Sequence, residues 1–521
     1  MSDARRPGAR DLLAHVVDPG SWREWPAPQV APTREPDAAY AADLAAARER
    51  SGEAESLIAG EGRVGGRRLV IVAGEFGFLG GSIGVVAAEI LVAALERATR
   101  ERLPVLAAPT SGGTRMQEGT IAFLQMVKIT QAVAAHKRAG LPYVVYLRHP
   151  TTGGVFASWG SLGHITVAEP GALIGFLGPR VYEALYGAPF PAGVQTAENL
   201  YAHSLLDGVL SADELGRVAA QALGVLCGDV VGALPAEAAA AIVSRSDEEA
   251  RSSGPAPTAW EAVTRSRDPR RPGVRALLRI AATDVTALNG TGQGESEPGL
   301  LLALARFGGR PCVVLGQDRR AQGADAPLGP AALRTARRGM RLAADLGLPL
   351  VTVIDTVGAA LSREAEEGGL AGEIARSLAD LVAFAPPTVC LLLGQGAGGA
   401  ALALVPADRV VAAQHAWLSP LPPEGAAELI HRSTERAAEV AAAQGVGAAE
   451  LAEAGVVDVV VAEHPDAAEE VEAFCGRVAA ALAGQLADLA EVEPADRLAA
   501  RAARFRAVGL RAVGLPAVGP Q

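Results

Sequence analysis

Two hydrophobic patterns alternate along the chain. Short unbroken apolar runs, LVIVAG (69–74), VLAAP (105–109) and YVVYL (143–147), return as a second set, CVVLG (312–316), LVTVID (350–355) and VCLLLG (389–394). Apolarity without alternation is the pattern of strands covered on both faces. Between the runs, 83–102 and 331–347 carry apolar residues at helical spacing with charges on the other face. Strand, glycine-rich turn and helix recur, which predicts an α/β fold. Residues 466–521 are alanine-rich and read as helix ending in a frayed tail. The first fifty residues read as short helices packed on the outside.

The runs also repeat at a fixed distance. Leu103 and Pro104 recur 245 residues on as Leu348 and Pro349, and Pro142 recurs as Pro387. Gly113 maps onto Gly358 at the same offset, and Gly153 and Gly154 map onto Gly398 and Gly399. A further pair, 67–74 and 309–316, aligns at 242, a slip that a loop absorbs. Four anchors at one offset point to a duplicated unit. The expected domains are 1–250 and 251–521. The polar, Pro-, Gly- and Ser-rich sequence between about 244 and 272 reads as a linker.

Composition narrows the function classes. With 521 residues, half apolar and a fifth charged, the chain can bury a large core. Its net charge of −11, from 47 basic and 58 acidic residues, argues against nucleic-acid binding. Only Lys128 and Lys137 are lysines. The four cysteines, Cys227, Cys312, Cys390 and Cys475, have neither zinc-ribbon nor disulfide spacing, so no zinc is expected and a reducing cytoplasm is. No leader segment and no uninterrupted membrane-length apolar run is read, so no membrane partner is expected.

The chemistry concentrates in four glycine-rich turns that follow strands and precede helices: 110–119 and 150–158, then 355–362 and 394–403. Glycine lets backbone approach a ligand, and a helix start directs free N–H groups at it. Two such groups converging on one point form an oxyanion hole, so each half carries one potential hole built from its two turns. GFLGGSIG (77–84) lacks the acidic residue of a dinucleotide fingerprint, and no P-loop or GxSxG elbow occurs. His149, His164, His203, Ser111, Ser158, Glu118, Glu366 and Glu367 are isolated candidates whose ordinary reading is structural. Backbone donors thus outnumber convincing side-chain catalysts, which suits chemistry carried by substrate or cofactor.

These motifs resemble a known family. GFLGGSIG, TSGGTRMQEG, HPTTGGV and AEPGALIGFLGPRV in the first half are similar to the β subunit of bacterial acetyl-CoA carboxylase carboxyltransferase. DTVGA, EEGGLAG and GQGAGGAALAL in the second are similar to its α subunit, and the whole resembles the fused β–α proteins of actinobacteria. The resemblance implies two tandem crotonase-like domains, each a ββα-superhelix. It implies transfer of a carboxyl group from carboxybiotin to an acyl-CoA, acetyl-CoA first, with both developing anions held by backbone N–H groups. Gly112, Gly113, Gly153 and Gly154 would then cradle the thioester oxygen. Val357, Gly358, Gly398 and Gly399 would cradle the biotin ureido oxygen. Arg115, Lys128 and Arg180 would contact CoA phosphates. Biotin would arrive on a separate carrier protein loaded by a separate biotin carboxylase, and the chain would be a homo-oligomer, dimer or hexamer. A biotin-independent malonyl-thioester decarboxylase and a non-catalytic CoA-ester-binding scaffold are the alternatives.

Overall fold

Each apolar run is a strand of one of two similar sheets. The computed structural model describes residues 7–30, 35–232, 257–323 and 327–508. Contacts divide the chain into two units, Met1–Cys227 with Gly292–Gly294, and Gly228–Thr291 with Glu295–Gln521.

The first unit carries β1 (Arg23–Glu24), β2 (Leu57–Val64), β3 (Arg67–Gly74), β4 (Val105–Ala108), β5 (Tyr143–Leu147), β6 (Thr151–Thr152), β7 (Ile165–Ala168), β8 (Ile174–Gly175) and β9 (Gly208–Val209). Its main sheet runs β1-β2-β3-β4-β5-β7-β9, and β6 pairs with β8. The β1–β2–β3 pairs are antiparallel and those from β3 to β9 parallel. Parallel strands need crossovers, here the helices Val85–Arg100 and Gly119–Arg138. The first buries Leu91, Leu95 and Ala98 against Val70, Val72 and Val105. Each such leucine contributes roughly 1.5–3 kcal/mol.

The second unit repeats this order. It has β10 (Thr283–Leu288), β11 (Leu300–Phe307), β12 (Arg310–Gln317), β13 (Leu350–Thr356), β14 (Thr388–Ala397), β15 (Arg409–Ala413), β16 (Trp417–Ser419) and β17 (Val459–Val461). The path is β10-β11-β12-β13-β14-β15-β17, with β16 on β14. The helix Pro330–Leu346 packs on one side of it and Val471–Ala490 also covers the sheet. Val105 pairs with Tyr143, and Leu350 with Thr388, both at the 245 offset. The hairpins match at 243 instead: Leu57 opposes Gly74, and Leu300 opposes Gln317.

A shared device starts the first crossover helix in each unit. Gly84 and Gly329 are its N-caps and have no side chain to offer. A remote carboxylate takes that place: Glu118 accepts the Val85 N–H at 2.6 Å, and Glu297 accepts the Gly329 N–H at 2.6 Å. A Cβ on Gly84 would lie 2.3 Å from Glu118 Oε1, and one on Gly329 2.6 Å from Glu297 Oε1, so only glycine admits the carboxylate.

One expectation needs correction, and one is met. The segment 257–272 is no linker. Ala259–Ser266 is a helix capped by Thr258; it packs Ala259 and Val263 with Trp417 and Ala441, and Arg271 is buried. The adjoining 244–256 lies outside the described residues. The C-terminal stretch forms two helices, Val471–Ala490 and Pro494–Ala507, and the second is anchored by buried Arg497 and Arg501. The stretch expected to fray, 509–521, lies outside the described residues. None of the described helices is long and apolar enough to cross a membrane.

Candidate active site

In the first unit the strand β4 leads into Pro109 and then Thr110–Gly113. Gly113 has φ 112°, a region L side chains rarely adopt, and its N–H donates to Ser111 Oγ at 2.9 Å. The Gly112 N–H donates to Gly80 O at 2.8 Å. The supporting loop has Leu79, Gly80 and Gly81 all at positive φ, and a Cβ on Gly81 would fall 2.1 Å from Thr110 O. The second turn is held alongside by Ser111 N to Pro150 O at 2.7 Å and Thr152 N to Ser111 O at 2.9 Å. Gly153 has φ 63° and donates to Phe176 O at 3.0 Å. Gly154 is the next residue of the short helix Gly153–Phe156, and its N–H has no acceptor among the described residues.

The second unit repeats the geometry with other residues. The Gly358 N–H, at φ 131°, donates to Thr356 Oγ1 at 3.1 Å, as Gly113 does to Ser111. Gly398 has φ 67° and opens the helix Gly398–Leu402. The N–H groups of Gly398 and Gly399 have no acceptor among the described residues. Val357, at the place of Gly112, is exposed. Below the turn, buried Asp355 accepts the Gln395 N–H at 3.1 Å. Burial pushes its carboxyl up to about 6, against the nearby Arg319 and the Gln395 N–H, which both lower it.

Of the eight turn residues, Gly112, Gly113, Gly153 and Gly358 therefore have their N–H groups on protein acceptors. The N–H groups left for a ligand oxygen include Gly154, Gly398 and Gly399. Sequence shows where glycines cluster but not which amides are already bonded.

The expected phosphate contacts are not brought together. Arg115 is fully buried. Its guanidinium pairs with Glu55, donates to Ser82 O at 2.7 Å and lies over the Phe78 ring. Burial opposes its charge, but Glu55 holds it more firmly protonated than a free arginine. A group committed to the core cannot reach a CoA phosphate, which corrects that expectation. Lys128 is exposed on its helix and paired with Glu89. Arg180 sits on the helix Pro179–Tyr186, and its side chain is outside those described.

Most of the isolated candidates are engaged in hydrogen bonds within the fold. His149 Nδ1 faces the Leu173 N–H and His164 Nδ1 the Tyr143 N–H, each at 3.0 Å, and His203 Nδ1 lies 2.8 Å from Asn199 O. Ser158 Oγ donates to Gly154 O at 2.5 Å, and Glu118 serves the helix start. Glu366 and Glu367 lie on the exposed helix Arg363–Glu367. His415, Glu463 and Asp466 have ligand atoms within 4.8 Å of one another, as a metal site would. Arg271 already fills that role, 2.5 Å from Glu463 and 2.9 Å from Asp466. Burial alone would raise Glu463, but hydrogen bonds from Arg271 and His415 hold it well below the carboxylate range.

Comparison with known proteins agrees with this architecture. A carboxyl transferase domain matches residues 9–497. The chain is 58% identical over 500 residues to a probable biotin-dependent acyl-coenzyme A carboxylase beta3 subunit of Mycobacterium tuberculosis (strain ATCC 25618 / H37Rv), covering 96% of this chain and 98% of that one. It is 38% identical over 506 residues to the acetyl-coenzyme A carboxylase carboxyl transferase subunits beta/alpha of Salinispora tropica, covering 95% and 89%. Among solved structures, the transcarboxylase 12S hexamer with methylmalonyl-coenzyme A bound superposes with a TM-score of 0.71 at 21% identity, over 93% of this chain and 90% of that one. At that identity the likeness shows the fold, two tandem crotonase-like units.

Proposed function

Because the chain belongs to the carboxyl transferase family, matched from residue 9 to 497, we propose that it moves a carboxyl group from carboxybiotin to the α-carbon of an acyl-CoA. The observation that carries this reading is the duplicated turn. Ser111 and Thr356 each bind the N–H of a glycine two residues on, and each turn stands beside a helix that opens on two glycines. Such a pair suits a reaction with two developing anions on two partners.

On this reading the first domain, residues 1–250, takes the acyl-CoA, and the second, 251–521, takes biotin. The Gly154 N–H holds the thioester oxygen as negative charge develops there. The turn Gly112–Gly113 and Gly153 keep that N–H aimed and keep side chains out. In the second domain the unbonded N–H groups of Gly398 and Gly399 fit an acceptor oxygen such as the biotin ureido oxygen, with Val357 and Gly358 forming the facing wall. Carboxybiotin would supply the carboxyl group, and the nitrogen that gives it up would take the α-proton of the thioester in exchange. The carboxylates that the turns do carry, Glu118 and Asp355, already accept the backbone N–H groups of Val85 and Gln395, so among the described residues neither turn offers a free side-chain base.

Acetyl-CoA, giving malonyl-CoA, is the substrate this reading takes first, and propionyl-CoA second. The names of the relatives support an acyl-CoA carboxylase. Biotin reaches the site on a separate carrier protein, charged by a separate biotin carboxylase. The first unit exposes Phe123 and Val127 on one helix with Met116 just before it, which supports a homo-oligomer. The test is carboxylation of an acyl-CoA panel with and without the biotinylated carrier and its carboxylase. Carrier-dependent product supports the reading, and no product with any acyl-CoA overturns it.

A further inference from the structure

Position for position, the two units hold their turns differently. Thr110 of the first unit corresponds to Asp355 of the second, and Pro150 to Gln395. In the first unit the Thr110 hydroxyl lies 3.0 Å from His149 O and 3.3 Å from Pro150 O, acting as donor. In the second, polarity is reversed: the carboxylate of Asp355 accepts from the Gln395 N–H at 3.1 Å, a donor that a proline lacks. A Cβ on Gly394 would lie 2.6 Å from Asp355 Oδ1, so the strand passes close only because that residue is glycine. The β13–β14 register shifts at this point, between Ile354 and Thr356.

The carboxylate sits inside a buried polar brace. Arg319 Nε is 3.3 Å from it, and the same guanidinium donates to Ser266 O at 2.8 Å and Asp268 O at 3.3 Å. Gln317 accepts the Asp355 N–H at 3.3 Å and donates to Ala400 O at 2.8 Å, inside the helix that begins at Gly398. Gln322 donates to Asp355 O at 3.3 Å and accepts from Thr356 Oγ1 at 2.7 Å. Gln317 thus ties Asp355 to the helix that opens on Gly398, and Gln322 ties Asp355 to Thr356, while Arg319 ties the carboxylate to the segment 266–268.

We propose that Asp355 is a positioning residue for the second unit, its carboxylate fixing the strand Thr388–Ala397 so that the Gly398 and Gly399 N–H groups face the turn Thr356–Gly358. The inference deepens the proposed function, on which its kinetic part rests. It makes the second site titratable where the first, with Thr110, is not. The charges acting on Asp355 are Arg319 and Arg271, which favour its ionised form, and Asp318, which opposes it. As pH falls through about 6 the carboxyl gains a proton, Arg319 loses its counter-ion and the Gln395 N–H its strongest acceptor. Transfer should therefore decline on the acid side through the biotin half.

The test compares full-length wild type, Asp355→Asn and Arg319→Met. Hydrogen exchange read by mass spectrometry needs no activity. Peptides covering 394–400 should exchange at least about tenfold faster in Asp355→Asn, and those covering 150–156 should not change. In kinetics, kcat/KM for the carboxylated carrier should fall about tenfold while KM for acyl-CoA holds within about twofold. The wild-type acid limb near pH 6 should vanish in Asp355→Asn and move to higher pH in Arg319→Met, a shift that a merely structural residue would not produce. If Asp355→Asn does not fold, Arg319→Met carries the exchange test. Unchanged exchange at 394–400 overturns the inference even in an active enzyme. Faster exchange in Asp355→Asn, when the wild type transfers no carboxyl group, leaves the positioning role standing and overturns the reading of function instead.

Discussion

Gly113 and Gly153 meet backbone to backbone. A Cβ on Gly153 would lie 3.3 Å from the Cα of Gly113, and one on Gly113 would lie 3.6 Å from the Cα of Gly153. Both have positive φ, so each is glycine for conformation, and Gly153 is also tight for space. Gly153→Ala is expected to lose about 1–2 kcal/mol to the left-handed backbone. By displacing the adjoining Gly154 N–H it should lower kcat by roughly 10²-fold. Steady-state kinetics with acyl-CoA, alongside a melting curve, checks both effects.

Arg115 is expected to be a stability residue. Arg115→Met strands Glu55 in the core and should cost about 3–5 kcal/mol in denaturant unfolding. The folded fraction should keep its KM for acyl-CoA, whereas a phosphate contact would raise it.

Acid should weaken the first unit in a predictable window. Burial lowers the imidazole of His136 to about 4 and that of His164 to about 3. Both lie below the ordinary histidine range near 6.5, so their contribution is complete above about pH 6.5 and is lost as pH falls towards those values. Each should cost up to about 1.4 kcal/mol per pH unit across that window. Asp355, with its carboxyl raised, works in the opposite sense, gaining stability as pH falls through about 6. His164→Asn, whose side-chain oxygen can still face the Tyr143 N–H, should flatten the fall between pH 6.5 and 5. Unfolding midpoints at those two pH values settle it.

The apolar surface of the helix Gly119–Arg138 predicts association. Phe123 and Val127 are 62% and 66% exposed, beside Met116 at 81%. Light scattering should show at least two chains per particle, and Phe123→Glu with Val127→Glu should lower the mass to one chain and remove activity. A wild type that is monomeric and fully active would contradict this.

Much of this architecture can be read from the chain, and the remainder fails for physical reasons. Unbroken apolar runs mark strands buried on both faces, and the 245-residue offset carries through to the φ angles of Gly153 and Gly398. The hairpins differ by two residues because loops absorb insertions without disturbing strand pairing. Glu118 and Glu297 do the same work from unrelated positions in the two halves, so no repeat reveals them. Arg115, Arg271 and Arg501 look like surface cations until their partners Glu55, Glu463 and Asp408 are seen, because long-range ion pairs leave no local pattern. The turns themselves are legible; which of their N–H groups stay unbonded depends on acceptors such as Gly80 O and Phe176 O, set by tertiary packing.

On the proposed function, two backbone cradles move a carboxyl group between carboxybiotin and an acyl thioester. Its most direct measurement follows radiolabelled carboxyl from a carboxylated biotin carrier into acyl-CoA, with and without avidin, in wild type and in the Gly153→Val plus Gly398→Val double variant. Acid-stable labelled product should form with wild type alone and be abolished by avidin. Release of CO₂ from a malonyl thioester that avidin does not affect, or equal transfer by wild type and double variant, would contradict it.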